Sequence, residues 1–160
     1  MYNGSMRGFV VLVVLAGCAG DDAGGGTPGD TSAHAVCVSE TNRYRAMNGK
    51  ADVVRSTALE DFADTGAMVD FGGTPHQHFS STSGGGIAFA ENECPHWSTN
   101  QTGGDLSMLV VQCIAAFYAE GPGTGNAHGH YNNMLGAYGT LGCGIFQSGM
   151  DVTIVQDYGR

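Results

Sequence analysis

Basic residues are scarce: 6 lysines and arginines stand against 15 acids in 160 residues, a formal charge of −9. A chain so poor in cations cannot neutralise a phosphate backbone, which argues against nucleic acid as a partner. It also lacks a basic patch for an anionic lipid surface. Long hydrophobic runs are missing too. The run Gly8–Leu15 is far shorter than the roughly 20 apolar residues a spanning helix needs. No CxxC pair is present, so a zinc site built from four thiolates lacks its usual spacing. The Ser/Gly stretch Ser80–Gly86 is not followed by GxxxxGK[ST], and it reads as a loop rather than a phosphate cradle. HExxH, GxSxG and a papain-like Cys context are absent as well, which removes the commoner hydrolase signatures.

What is present begins with an export signal. Met1–Arg7 carries one positive charge, and Gly8–Leu15 has the length of a signal-peptide apolar core. It ends in Leu15-Ala16-Gly17-Cys18, which resembles the lipobox of bacterial lipoproteins. That resemblance implies cleavage before Cys18, lipidation of its thiol and attachment to a membrane at the bacterial envelope or cell surface. Residues 1–17 are then signal, and 18–34 a flexible tether too poor in apolar residues to fold. Residues 35–160 make one domain, large enough for a real core. Removing Arg7 takes the charge to −10.

With Cys18 lipidated, Cys37, Cys94, Cys113 and Cys143 remain. An even number in an exported domain suggests two disulfides. Of three possible connectivities the favoured one joins Cys94 to Cys113, closing a short loop, and Cys37 to Cys143.

Along the domain, Val36–Met47 reads as a helix ended by Asn48-Gly49. Thr57 and Glu60 fit a capping box, and Leu59, Phe62, Ala63, Ala67 and Val69 continue at helical spacing until Gly72-Gly73. Ile87–Ala90 reads as a short strand. A third helix runs from a cap at Asp105 or Ser107 through Tyr118, and a short one covers His130–Ala137. Thr140–Phe146 and Val152–Tyr158 form a terminal hairpin. Interspersed helices with a hairpin indicate an α+β fold.

Two imidazoles and two carboxylates occur in distinctive contexts: His78 in His76-Gln77-His78-Phe79, Glu91 in Ala90-Glu91-Asn92, Glu120 in Phe117-Tyr118-Ala119-Glu120, and His130 in Gly129-His130-Tyr131. Neutral imidazole and carboxylate are the usual ligands of zinc, and the same groups serve as acids and bases. Buried together, they can also form a purely structural polar network.

The order of these segments resembles the CAP superfamily, or SCP domain, over about Val38 to Tyr158. Asn42 and Arg45 resemble its Asn-x-x-Arg, Ala90-Glu91-Asn92 its Gly-Glu-Asn, Glu120 its Trp-x-x-Glu with Phe117 for Trp, Gly129-His130-Tyr131 its Gly-His-Tyr, and Leu141-Gly142-Cys143-Gly144 its Val-Gly-Cys-Gly. The resemblance implies a three-layer α-β-α sandwich with a mostly antiparallel sheet. It also implies a cleft in which two histidines weakly bind Zn²⁺ or another divalent cation. His78 and His130 would be the ligands, with His76 the alternative to His78. Glu91, Glu120, Asn92 and Tyr131 would line the cleft, and the two glutamates are also the candidates for catalysis. Family members bind apolar ligands or protein partners, which makes a binding module the leading expectation. A metal-dependent, peptidase-like hydrolase and a structural envelope protein are the alternatives.

Overall fold

The structure, a computed structural model, describes residues 32–160. The expected signal, the expected lipidation site Cys18 and most of the expected tether lie outside the described residues. Helix α1 (Ala33–Met47) is capped by Ser32, whose Oγ accepts the Ala35 N–H. There follow β1 (Val54–Arg55), α2 (Thr57–Phe71), α3 (Gln77–Thr82), β2 (Ala90–Ser98), α4 (Leu106–Ala119), α5 (Gly129–Met134), β3 (Thr140–Ser148) and β4 (Asp151–Gly159). The four strands lie in the order β1-β3-β4-β2, antiparallel except where β1 pairs with β3.

Period-two alternation splits the sheet residues between two faces. Leu141, Cys143, Ile154, Gln156, Tyr158, Asn92 and Cys94 face α1, α4 and α5, where the larger core gathers Leu109, Val110, Ile114, Phe117 and Met134. Gly142, Gly144 and Val155 face α2 and pack on Ala63 and Ala67. The result is an α-β-α sandwich. Both expected disulfides are present, Cys37–Cys143 tying α1 to β3 and Cys94–Cys113 tying β2 to α4.

Several local expectations are corrected. Ser56, not Thr57, caps α2, its Oγ accepting the Leu59 N–H, while the Glu60 carboxylate accepts from the Arg55 guanidinium at 2.6 and 2.7 Å. The Ser/Gly stretch is not wholly loop: Gln77–Thr82 forms α3, its first turn held by the His78 N–H donated to Asp70 Oδ1. The strand expected at Ile87–Ala90 begins only at Ala90 and runs on to Ser98. The short helix after Gly129 stops at Met134.

Candidate functional site

The site lies where α3, β2 and α5 converge, and its two halves are built differently. On one side Glu120, at the end of α4, receives the His130 Nδ1–H at 2.5 Å, the His130 N–H at 3.0 Å and the Tyr131 N–H at 3.3 Å. One carboxylate thus caps α5 and fixes the imidazole, which also packs on Phe117 with ring centroids 4.6 Å apart. A carboxylate on Nδ1 selects the tautomer in which Nε2 carries a free lone pair. Asn92 is fully buried; it donates to the His130 carbonyl and to Gln156, and accepts from Asn133. It fixes α5 against the sheet and does not face the cleft. Tyr131 likewise contributes its backbone N–H, while its ring lies against Tyr118.

On the other side stands His76, in the place where His78 was expected. His76 sits just before α3 with φ +61°, a left-handed conformation that turns its side chain toward β2. Its Nδ1 is 2.7 Å from Glu91 Oε1 and 3.8 Å from Glu93 Oε2, and its backbone N–H donates to Glu93 Oε2 at 2.7 Å. The rings of His76 and His130 face each other with centroids 6.4 Å apart. His78 lies on the helix side of the same cluster. Its ring packs on Phe62, and its buried Nδ1 and Glu91 Oε2 both border the space over Gly66.

Sequence reasoning missed the carboxylates behind His76. Glu93 follows Glu91 by two residues on a strand and so shares its face. Asp157 lies directly across the β2–β4 pair from Glu91, and Asp70 comes from α2. All four acids are buried. Among the described residues, the buried side-chain atoms without a hydrogen-bond partner all belong to this cluster: Asp70 Oδ2, His78 Nδ1, Glu91 Oε2, Glu93 Oε1 and both oxygens of Asp157. Burial pushes the Glu93 carboxyl up to about 7, and burial reinforced by the Glu91 charge pushes Asp157 well above the carboxylate range. The hydrogen bond to Glu91 raises the His76 imidazole, against the opposing effect of its own burial.

Residues 38–158 match CAP, the cysteine-rich secretory protein family. The chain belongs to it. Among solved structures, the crystal structure of Na-ASP-1 is similar with a TM-score of 0.61 and 19% identity, over 82% of this chain and 40% of that one. The chain thus spans less than half of that protein's length, and the likeness concerns the fold. No curated protein matches in sequence. In this CAP domain, His76, Glu91 and Glu93 bring donor atoms within 4.8 Å of one another and can hold a metal ion. A cleft of about 410 Å³ opens beside them, lined by His76, Phe79, Ser80, Phe89, Ala90, Glu91 and Asn133. The two disulfides and the family fit an extracellular protein, and no helix among the described residues is long and apolar enough to cross a membrane.

Proposed function

We propose that this CAP domain is an exported binding module, anchored by a lipid on Cys18, whose cleft carries a divalent cation beside a pocket for an apolar ligand or protein partner. The observation that carries the reading is His76 facing His130, each with Nδ1 against a glutamate. That pairing is the outer support a metal-binding imidazole ordinarily has, with a carboxylate raising the basicity of the ring. Glu91 and Glu93 each add an oxygen without a hydrogen-bond partner. A bound divalent ion would supply a Lewis-acidic anchor for a polar group on the ligand. Phe79, Phe89 and Ala90 would hold its apolar part, and Ser80 and Asn133 offer hydrogen bonds that orient it. Zinc is the ion the family resemblance implies; few protein ligands make its binding weak.

The test is metal analysis of the mature protein after equilibration with Zn²⁺, wild type beside His76→Ala. Bound zinc in the wild type and its loss in the variant support the reading; negligible metal in both overturns it. Metal lost in His78→Ala but kept in His76→Ala would return the ligand role to His78. Peptide hydrolysis abolished by chelator and by His76→Ala would make the site catalytic instead. For the anchor, a Cys18→Ser protein that remains membrane-bound would refute lipidation as the means of attachment.

A further inference from the structure

Helix α4 is apolar on two sides, and the protein core covers one of them. Leu109, Val110, Cys113, Ile114 and Phe117 point into the core and are buried. Met108, Val111, Gln112, Ala115, Ala116 and Ala119 recur at the helical period on the other side and stay accessible, Met108 being 54% and Val111 36% exposed. No residue of Leu106–Ala119 carries a charge. The acids at its two ends are engaged, Asp105 as the cap that accepts the Met108 N–H and Glu120 by His130. The outer side of α2 is different, since it carries Asp61 and Asp64. A chain of 15 acids and 6 basic residues therefore keeps one helix face neutral and apolar. A helix apolar all round is ordinarily covered all round.

The size of the face argues against a second copy as its cover. A helix of 14 residues is about 21 Å long, so one stripe of it offers roughly 200–300 Å². A stable pair of proteins buries about 800 Å² on each partner. A bilayer needs no such area when the chain is already held to it, because a tether makes docking an intramolecular event. The attachment also enters from this side. Helices α1 and α4 pack on the same face of the sheet, Ser32 caps the start of α1, and the chain from Cys18 to Ser32 reaches at most about 50 Å. The border of the face suits lipid headgroups. Arg43 lies over the Tyr44 ring, Tyr44 stacks on Tyr118 of α4, and Lys50 follows Asn48, which donates to the Tyr118 hydroxyl. Tyrosine rings beside cations are at home where a bilayer meets water.

We infer that the outer face of α4 rests on the phospholipid bilayer, with Met108 and Val111 seated in the headgroup boundary. The inference rests on the lipid anchor proposed above and adds an orientation to it. Glu91 and Glu93 lie on the α2 side of the sheet, where His76 meets them, while Asn92 and Cys94 face α4. With α4 against the bilayer, α2, α3 and His76 stand on the far side of the sheet. That side of the cleft then opens to solution rather than to the membrane.

Methionine oxidation reads this orientation in the unaltered protein. Met108 marks the α4 face, and Met68, 51% exposed on α2, marks the opposite layer. Lipidated mature protein on phosphatidylcholine vesicles, and the mature chain bearing Cys18→Ser in solution, are each treated with dilute peroxide. Mass spectrometry follows sulfoxide at each methionine. The expected result is that Met108 oxidises at least about fivefold more slowly on the vesicles, while Met68 changes less than about twofold. Ala116→Glu puts a charge in the middle of the face and should return Met108 to its solution rate while the lipid still holds the protein on the vesicle. Its circular dichroism and melting temperature establish that it folds. Equal Met108 rates on and off vesicles, with the wild type still sedimenting with them, overturn the docking and leave the anchor standing. Met108 protection that grows with concentration in the Cys18→Ser protein gives the face to a second copy and overturns the docking as well. A wild type that does not sediment with the vesicles overturns anchor and docking together.

Discussion

Gly144 of β3 lies directly beneath Ala63 of α2, so close that a Cβ on the glycine would fall well inside contact distance of the Ala63 carbonyl. One helical turn earlier Gly142 meets Leu59 and Glu60 in the same way. The helix therefore rests on bare strand backbone, and this close approach brings Asp70, at its far end, beside β2. Gly144→Ala is expected to force the layers apart and to cost about 3 kcal/mol or more. Denaturant unfolding should show it, and a loss under about 1 kcal/mol would mean that α2 is not seated as described.

Arg45 makes a second such tie, this time through hydrogen bonds. Its buried guanidinium donates to the carbonyls of Ala51, Met134, Gly136 and Tyr138, at 2.8, 2.7, 3.0 and 3.4 Å. Burial lowers its pKa, yet an arginine stays charged at any ordinary pH. A lysine brings one compact ammonium in place of a planar fork. Arg45→Lys should cost about 2–4 kcal/mol and speed amide exchange in residues 134–139. Unchanged exchange there would show that the loop after α5 is held by other contacts.

The long elements were legible because they carry a period. The Met108–Tyr118 stripe and the Thr140–Tyr158 hairpin each repeat an apolar pattern for several turns or residues, and both formed near the expected bounds. Strand β1 has two residues and no period to read. It exists because β3 offers an edge and because Asn42 holds Val53 by donating to its carbonyl and accepting its N–H.

The juxtaposition of the polar residues was legible only in part. His130, Glu91 and Glu120 came together as their contexts suggested. His76 and His78 were separated by the wrong local geometry. An extended segment would place both on one side, whereas His76 takes a left-handed conformation and α3 starts at Gln77, so the two histidines do not share extended geometry. Nothing in the Ser/Gly composition signalled that short helix; its first turn depends on Asp70, eight residues away. Glu93 was readable in principle from the strand alternation. Asp157 was not, since its approach to Glu91 depends on the register between β2 and β4.

The two disulfides should differ in worth. Cys37–Cys143 closes a separation of 106 residues and Cys94–Cys113 one of 19. Loop-closure entropy assigns about 4.8 kcal/mol to the first and about 3.2 kcal/mol to the second. Paired Cys→Ala variants should therefore unfold at clearly different denaturant concentrations, with the α1–β3 pair the more damaging. The opposite order would place residual structure in the unfolded chain near Cys37 or Cys143.

The buried acids give the metal-free domain a direction of pH dependence. Glu93 is raised to about 7, Asp157 is raised further by burial and by Glu91, and His76 is raised by its bond to Glu91. Each group binds its proton more tightly in the folded than in the unfolded chain, so each stabilises the fold at low pH and loses that contribution as pH rises through its folded value. For Glu93 the window runs from about 4.5 to about 7, and its share is on the order of 2 kcal/mol. Asp157 acts in the same sense across that window and beyond it, to about 9, and His76 does so from about 6.5 upward. Chelated protein should therefore melt roughly 5 °C lower at pH 8 than at pH 5.5. Glu93→Gln removes the titrating group while keeping its shape, and should flatten the slope between pH 5 and 7.5. A chelated wild type that gains stability over this range would mean that the four acids are solvated and charged in the folded state. In that case Asp70, Glu91, Glu93 and Asp157 would not be the enclosed cluster that calls for a cation.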